Sequence, residues 1–282
     1  MQRISGIAEL RAALGEARAR GRSIGFVPTM GYLHEGHLRL VDEARRRADL
    51  VVVSIFVNPL QFGPNEDLAR YPRDLEGDTA KAEARGVDLL FTPEASEMYP
   101  QPSRVVVTPR AIASRWEGAA RPGHFEGVLT VVAKLFNIVQ PHVAVFGQKD
   151  IQQATLVRAM VEDLDMPVEI VVSPTVREPD GLAMSSRNSY LDPASRTRAL
   201  GLSGALRAIE QAYVAGERSA DKLEAIARAH LEQVGVNEVD YVAIADSKTL
   251  EPLVQATAGA VVAVAARVGR TRLIDNVILR SP

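Results

Sequence analysis

Residues 23–57 read SIGFVPTMGYLHEGHLRLVDEARRRADLVVVSIFV, and this stretch decides the fold class. Its first residues, Ser23 to Val27, predict a short buried strand that ends at Pro28. Residues 38–48 carry apolar side chains at helical spacing, and residues 50–57 form a β-branched run too continuous for a half-exposed strand. Because such runs occupy sheets that are covered on both faces, the stretch predicts a strand–helix–strand unit of a parallel sheet.

The same alternation continues outward from this stretch as far as residue 175. Apolar periodicity predicts helices over 76–85, 128–139 and 152–164, and strands over 87–91, 142–146 and 168–172. We therefore expect a doubly wound, Rossmann-like α/β domain with a parallel sheet over residues 1–175. From Pro174 the order changes to two helices followed by three strands. This order predicts a smaller α+β C-terminal domain over residues 176–282, which we expect to cover the active site.

Composition excludes several classes of protein. The 282 residues are 46% hydrophobic and 24% charged, as in a globular protein, and the net charge of −2 excludes a globally basic nucleic-acid binder. The chain has no cysteine, which excludes disulfides, thiolate metal sites and a cysteine nucleophile. Its longest apolar run, residues 258–266, is far shorter than the roughly 20 residues of a membrane helix. The first residues lack the apolar stretch of a signal peptide, so we expect a cytoplasmic protein without nucleic-acid or membrane partners.

The loop at residues 28–38, PTMGYLHEGHL, lies between the first predicted strand and the helix that follows it. Open α/β sheets bind ligands at such loops, and a helix N-terminus presents N–H groups and a partial positive charge to a phosphate. The spacing of Gly31 and Gly36 matches a Walker loop, but the Lys and Ser or Thr of that motif are missing. His34 and His37 could bind phosphate, form a metal-binding pair or be unrelated surface histidines, and their spacing alone leaves these alternatives open.

Four further segments carry polar residues beside predicted strands and helices. They are FVNPLQFGPNED at 56–67 with YPR at 71–73, GHFEGV at 123–128, FGQKD at 146–150, and REPDGLAMSSRN at 177–188. The H-x-G-H tetrapeptide at 34–37 resembles the signature of the nucleotidylyltransferase superfamily. Taken together and in this order, the five segments resemble the pantothenate synthetase (pantoate–β-alanine ligase) family over essentially the whole chain.

The resemblance implies a two-step reaction. The carboxylate of (R)-pantoate attacks the α-phosphorus of ATP to form pantoyl adenylate and pyrophosphate, and the amine of β-alanine then displaces AMP to form pantothenate. Such chemistry depends on positioning and charge stabilisation rather than on a covalent enzyme intermediate. Two alternatives stay open at this point: another adenylyltransferase of the same superfamily, and a catalytically silent nucleotide-binding protein.

The resemblance also implies which residues contact ATP. His34 and His37 are expected to stabilise charge at the α-phosphate, with His37 as the proton donor, and Lys149 is expected to add a compact positive charge. These three are the expected catalytic residues. The residues expected to bind ATP are Met30, Gly31, Tyr32, Leu33, His34, Glu35, Gly36, His37, Gly147, Gln148, Lys149, Asp150, Val176, Met184, Ser185, Ser186 and Arg187.

The other substrates, pantoate and β-alanine, are expected at Gln61 and Gln153, because an amide offers a donor and an acceptor to hydroxyl and carboxylate groups. Further candidates for this pocket are Tyr71, Arg121 and Asn58. The phosphates of ATP require Mg²⁺, for which the sequence assigns no protein ligand; Asp78 is the one carboxylate considered. The resemblance implies a homodimer.

Overall fold

The protein, described here by a computed structural model over residues 1–64 and 66–281, consists of two compact units. The first unit comprises Met1–Ala113, Arg121–Gly147 and Leu156–Pro174. The second comprises Ser114–Ala120, Gln148–Thr155 and the described chain from Thr175 onward. Two short segments within 1–175 therefore group with the second unit. Asn65, within the 56–67 segment, lies outside the described residues.

The first unit is built on a six-stranded parallel sheet with the strand order β1-β4-β3-β2-β5-β6. The strands are β1 (Gln2–Ile4), β2 (Ile24–Thr29), β3 (Leu50–Ile55), β4 (Leu89–Phe91), β5 (Val143–Gly147) and β6 (Glu169–Ser173). The chain runs outward from β2 through β3 to β4 and then returns to β5 on the other side of β2. The predicted doubly wound fold is confirmed, and the strand order reverses between β2 and β5, where such folds bind ligands.

Helices alternate with these strands along the chain. They are α1 (Ile7–Ala19), α2 (Glu35–Arg47), α3 (Leu75–Ala84), α4 (Ala95–Met98), α5 (Trp116–Ala120), α6 (His124–Val139) and α7 (Ile151–Asp163), of which α5 and the start of α7 belong to the second unit. Leu40, Val41 and Ala44 of α2 pack with Val51 and Val53 of β3 in one buried cluster. The continuous Val run of β3 is thus covered as the sequence predicts, because helices lie against the sheet.

Strand β1 is a feature that the sequence analysis missed. It has three residues, pairs in parallel with β4, and only Ile4 of it is buried. A strand this short at the edge of a sheet shows neither an apolar run nor alternation long enough to detect.

The second unit has a three-stranded antiparallel sheet, β7 (Glu238–Ala245), β8 (Val261–Val268) and β9 (Thr271–Ile278). Two long helices, α8 (Pro193–Val214) and α9 (Ala220–Gln233), pack on it through a common apolar core. Helix α8 is capped at its N-terminus, because the Asp192 side chain accepts a hydrogen bond of 2.7 Å from the backbone N–H of Ser195. Among the described residues, no helix is long and apolar enough to cross a membrane.

Candidate active site

The loop after β2 is held in place by a carboxylate from helix α3. The backbone N–H groups of Tyr32 and Leu33 donate to the two oxygens of Asp78, at 2.7 and 2.6 Å. The Asp78 side chain is 1% exposed, and burial raises the pKa of its carboxyl, although the two backbone hydrogen bonds favour the charged form. Leu33 is itself buried in the core beneath α2. The loop is therefore anchored by both a polar and an apolar contact.

Gly31 cannot be replaced without moving this anchor. Its φ of +83° lies in the left-handed region, and a Cβ there would stand 2.8 Å from the Ile55 side chain and 2.9 Å from the Asp78 carboxylate. The Thr29 hydroxyl accepts a hydrogen bond of 3.1 Å from the Gly31 N–H. The glycine of the predicted phosphate loop thus serves close packing of the loop against α3 and β3.

The two histidines of the loop lie together at the N-terminus of α2. His34 is the N-cap residue, and its Nδ1 accepts the backbone N–H of Gly36 at 3.1 Å. The Nδ1 of His37 accepts the backbone N–H of His34 at 3.4 Å, and the two ring centroids are 4.1 Å apart. Because Nδ1 is the acceptor in both rings, each neutral imidazole carries its proton on Nε2. Both rings are therefore N–H donors beside the positive end of a helix, an arrangement suited to anionic oxygens.

Gln61 ends a short 3₁₀ turn after β3 and contacts the same loop. Its side chain is 7% exposed, its Nε2 donates to the Met30 sulfur at 3.1 Å, and its Oε1 accepts from Asn58 Nδ2 at 3.2 Å. The Tyr99 hydroxyl donates to Asn58 Oδ1 at 2.9 Å, and burial raises the pKa of Tyr99 to about 12, which keeps that hydroxyl a donor. The structure thus brings together Met30 and Gln61, which the sequence assigned to ATP and to pantoate.

A charged pair supports the backbone of Gln61: Glu66 lies in the 56–67 segment, and Arg121 lies just before the 123–128 segment. Arg121 donates to Glu66 at 2.8 and 2.5 Å and to His124 Nε2 at 2.9 Å, and His124 Nδ1 lies 2.8 Å from the Gln61 carbonyl oxygen. Burial disfavours the charged form of Glu66, but the hydrogen bonds and charge of Arg121 outweigh it and hold the pKa of Glu66 below its usual value. Since arginine can only donate, His124 Nε2 accepts and its Nδ1 donates to the carbonyl.

Helix α6 approaches this turn so closely that Gly127 is required there. A Cβ on Gly127 would lie 2.2 Å from the Leu60 carbonyl oxygen. The carbonyl of Gly127 accepts a hydrogen bond of 3.1 Å from Asn58 Nδ2. The glycine of the GHFEGV segment therefore has a packing role.

In the second unit, Lys149 lies in a 3₁₀ turn, Gln148–Asp150, directly after the end of β5. Its Nζ is 3.4 Å from Asp150 Oδ1, and its side chain is 20% exposed. The side chain of Asn276 donates to the carbonyl oxygens of Gln148 and Lys149 at 2.8 and 2.9 Å. The turn is therefore fixed by a residue of the last strand. Gln153 is half-buried on the first turn of α7.

The 177–188 segment folds back on itself in the second unit. The backbone N–H of Met184 donates to the carbonyl oxygen of Val176 at 2.9 Å, so two residues predicted to contact ATP are paired across the turn at Gly181. Ser185 then caps a short 3₁₀ helix, Ser186–Tyr190, by accepting from the Arg187 N–H at 3.3 Å. These residues, all of which are predicted to bind ATP, therefore belong to one local hairpin.

Two side chains of the predicted ATP loop, Leu33 and Glu35, have structural roles. Leu33 packs in the core, and Glu35 accepts a hydrogen bond of 2.7 Å from Arg85. At Leu33 the backbone is engaged as well, because its N–H donates to Asp78 and its carbonyl oxygen accepts from Lys81 at 2.9 Å. The contact of these two residues with ATP stays a prediction.

Comparison with known proteins identifies the family. The family model described as pantoate-beta-alanine ligase matches residues 2–278. The chain belongs to the pantoate–β-alanine ligase family. The family assigned from the sequence motifs is thereby confirmed.

Similar proteins cover the chain at full length. Pantothenate synthetase of Pelotomaculum thermopropionicum is 54% identical over 273 residues, 97% of each chain. The crystal structure of pantothenate synthetase from Thermus thermophilus superposes with a TM-score of 0.95 at 51% identity and covers 100% of both chains. Pantoate-beta-alanine ligase of Francisella tularensis, solved in complex with Beta-gamma ATP and β-alanine, has a TM-score of 0.83 at 34% identity and covers 99% of this chain and 97% of its own.

Two buried polar residues have supporting roles that the sequence did not predict: Asp78 was considered only as a ligand of Mg²⁺, and Asn276 was not considered. Asp78 holds the backbone of the loop after β2, and Asn276 holds the backbone of the turn at Lys149. Each acts on a segment at least 45 residues away along the chain. The Asp–Asn pair amid the apolar residues of the last strand is a signal that could have indicated Asn276, whereas the polar sequence around Asp78 gives no such signal.

Replacing Asp78 with asparagine is expected to lower the free energy of unfolding by about 1–3 kcal/mol and to raise the Michaelis constant for ATP. Asparagine keeps one acceptor but turns an NH₂ group toward the second backbone N–H. Chemical denaturation and initial-rate kinetics measure the two effects. The control is Glu76→Gln, which removes one negative charge from an exposed position on the same helix. An Asp78→Asn variant that matched Glu76→Gln in both measurements would show that the loop does not depend on this anchor.

Proposed function

We propose that this chain uses ATP to join pantoate to β-alanine at the loop after β2. The chain is a pantoate–β-alanine ligase by family, and its full-length relatives are pantothenate synthetases. The observation that carries the local assignment is the contact between Gln61 and Met30. It brings a buried amide, suited to a hydroxy acid, to the loop whose two histidines present N–H groups to a phosphate. Groups suited to pantoate and groups suited to the phosphates of ATP, the two reactants of the first step, thus lie at one end of the sheet.

In the first step, a carboxylate oxygen of pantoate attacks the α-phosphorus of ATP. A new P–O bond forms, the bond from the α-phosphorus to the bridging oxygen breaks, and pyrophosphate leaves with the electron pair. His34 and His37 donate from Nε2 to phosphate oxygens, and the α2 N-terminus adds its partial positive charge. Gln61 holds pantoate in line with the phosphorus, because its amide is fixed on both sides by Asn58 and Met30.

In the second step, the amine of β-alanine attacks the acyl carbon of pantoyl adenylate. The C–O bond to the phosphate breaks, AMP leaves, and the ammonium proton is lost to give the amide. Lys149 supplies positive charge to the phosphates during adenylate formation, and the backbone at 147–150 and at Val176 contacts the adenosine. Residues 184–187 bind the β- and γ-phosphates, and Gln153 contributes its amide to the binding of pantoate and β-alanine. The chemistry of these groups supports the roles: hydroxyls, a guanidinium and an ammonium are donors to phosphate.

Mg²⁺ enters this proposal as part of the substrate. Among the described residues, no group of three or more His, Cys, Asp or Glu could hold a metal ion, and both oxygens of Asp78 accept backbone N–H groups. Mg²⁺ in phosphate sites is typically held by substrate phosphates and water with few protein carboxylates. The donor set of the chain therefore fits Mg²⁺ carried by the triphosphate, and we assign no protein ligand to it.

The reaction is tested by the fate of one carboxylate oxygen. Pantoate labelled with ¹⁸O in its carboxylate is incubated with ATP, β-alanine and the enzyme, and AMP is analysed by mass spectrometry. One ¹⁸O per AMP is expected, because the attacking oxygen stays on phosphorus when the C–O bond breaks. Omitting pantoate should abolish release of AMP and pyrophosphate. AMP formed without label, or formed without pantoate, would contradict the mechanism and favour another adenylyl acceptor.

Replacing Gln61 or Gln153 with alanine is expected to weaken pantoate binding by about 0.5–1.5 kcal/mol per lost hydrogen bond, while ATP affinity barely changes. Adenylate formation should also slow, because a loosely held carboxylate is no longer aligned with phosphorus. Titration calorimetry with each ligand alone measures the two affinities. The control is Gln211→Ala at an exposed position of α8. A large loss of ATP affinity with pantoate binding intact would reverse the assignment of the two pockets.

We also propose that the protein is a homodimer and that it acts in the cytoplasm. The dimer is supported by the family resemblance, and the compartment by a biosynthetic reaction on small polar substrates. Sedimentation velocity should give twice the mass of the 30.5 kDa chain. A single species at the mass of one chain would contradict the dimer.

A further inference from the structure

The side chain of Asn276 is a buried amide with three hydrogen bonds to one short turn. Asn276 lies in β9 and is 1% exposed. Its Nδ2 donates to the carbonyl oxygens of Gln148 and Lys149 at 2.8 and 2.9 Å, and its Oδ1 accepts from Gln148 Nε2 at 3.1 Å. The two carbonyl oxygens can only accept hydrogen bonds, so the NH₂ group of Asn276 must face them. These contacts therefore determine the orientation of the amide. An asparagine is therefore matched to this turn in both polarity and direction.

The neighbouring residue of the same strand makes a second contact of this kind. The Asp275 carboxylate is 3% exposed and accepts two hydrogen bonds from Arg177, at 2.6 and 3.0 Å. Burial raises the pKa of Asp275, and Arg177 opposes that rise by favouring the charged form. Arg177 directly follows Val176. Because successive strand residues point to opposite faces, Asp275 and Asn276 hold one loop segment on each side of β9.

These contacts link β9 to both backbone segments to which the proposed function assigns the adenosine. One segment is the turn at 148–150, and the other begins at Val176. The two segments are far apart along the chain, with helix α7 and strand β6 between them, so local sequence alone does not hold them together. The Asp275–Asn276 pair contacts both of them within the second unit.

We propose that Asn276 is a positioning residue for the nucleotide, with Asp275 as its partner. Asn276 touches no reacting atom; it orients the backbone of the turn at Lys149, so that the ammonium and the neighbouring backbone groups meet the phosphates and the nucleoside. This inference rests on the proposed function, since it takes residues 147–150 and Val176 as ATP contacts. Removing the amide leaves the two carbonyls without their donor and lets the turn shift, which weakens every contact made from it.

The test compares the effect of substitutions at Asn276 on the binding of ATP with their effect on the binding of pantoate. In Asn276→Ala, we expect the dissociation constant and the Michaelis constant for ATP to rise about 10- to 100-fold. The constants for pantoate should stay within about twofold, because Gln61 is held by other residues and Gln153 lies within helix α7, beyond the turn. Asn276→Asp should weaken ATP binding at least as much, because a carboxylate keeps the acceptor for Gln148 but points negative charge at two carbonyls. A general loss of folded enzyme would instead lower kcat and leave all Michaelis constants unchanged.

A matched control and a second measurement complete the design. Leu273→Ala removes a buried side chain from the same strand, so it destabilises the second unit without touching the turn; its affinity for ATP should stay near that of the wild type. Hydrogen exchange of the protein without ligand should be faster at residues 148–151 in Asn276→Ala and unchanged in β8. Normal ATP affinity in Asn276→Ala, or equal loss in Leu273→Ala, overturns the inference alone. A wild-type protein that does not bind ATP overturns the proposed function and the inference with it.

Discussion

Replacing His37 with alanine is expected to slow formation of pantoyl adenylate about 100-fold or more, while the protein folds normally. The His37 ring lies at the N-terminus of α2, and its Nδ1 accepts a backbone N–H from His34, so Nε2 carries the proton. An N–H donor that is already held in place costs no reorganisation when charge develops at the α-phosphorus. Alanine removes that donor and leaves the helix N-terminus. Pyrophosphate release in a single turnover measures the step directly.

Two further variants separate the donor from the fold. His37→Gln restores an N–H donor at similar reach and should recover part of the rate of adenylate formation. If His37 instead had to transfer a proton, the His37→Gln variant would be as slow as His37→Ala. His142→Ala removes a histidine at the opposite end of the same sheet, where Nδ1 accepts the Ile24 N–H at 3.0 Å, and should turn over near the wild-type rate. A folded His37→Ala protein with nearly normal pyrophosphate release would contradict the role of His37 in adenylate formation.

The elements that sequence analysis predicted are those in which burial leaves a continuous pattern. β3 was predicted because Val51, Val52 and Val53 are buried on both faces of the sheet, which makes an unbroken apolar run. β1 was missed because three residues at a sheet edge bury one side chain. Helix α6 begins at His124, four residues before the predicted start, because the turn before Val128 has only one large apolar side chain, that of Phe125. Patterns therefore predict the interior of an element better than its ends.

The candidate site was predictable where a motif lies within one loop and unpredictable where it depends on distant partners. The order strand, Gly31, His34 and His37 indicates a phosphate loop, and the structure places both rings at one helix N-terminus. Nothing local shows that Asp78 holds that loop, because an acidic residue in a helix is ordinarily exposed. The Asn276 amide lies 127 residues beyond Lys149. Such partners are found only when the fold brings them together.

The difference between residues of a local motif and the distant residues that hold them in place also predicts how substitutions change rate and stability. Residues that are proposed to meet the ligand and add little to the fold, such as Lys149, are expected to change the rate with little change in stability. Residues that hold a loop, such as Asp78, are expected to change both, because their hydrogen bonds exist in the free protein. The ratio of the two effects therefore distinguishes a contact with substrate from support of the fold.

Replacing Lys149 with methionine is expected to slow pyrophosphate release about 100-fold, with little change in the free energy of unfolding. Methionine keeps most of the length of the side chain and removes its charge, and the contact of the ammonium with Asp150 is 3.4 Å, too long for a strong hydrogen bond. The ammonium therefore contributes little to the fold and is available to compensate phosphate charge. Arginine at this position keeps the charge but spreads it over a planar group, so Lys149→Arg should recover only part of the rate.

The two reaction steps are measured separately to place the defect of Lys149→Met. Pyrophosphate release reports adenylate formation, and pantoyl adenylate supplied together with β-alanine reports the second step alone. We expect the second step to stay within about threefold of the wild type, because the triphosphate charge that the ammonium is proposed to compensate is gone once pyrophosphate has left. Lys222→Met, at a side chain that is 70% exposed and paired with Glu217, is the charge-matched control and should leave both steps unchanged. The loss of a charge that adenylate formation needs must slow pyrophosphate release. If Lys149→Met slowed only the attack of β-alanine, the ammonium would therefore act in acyl transfer and not in adenylate formation.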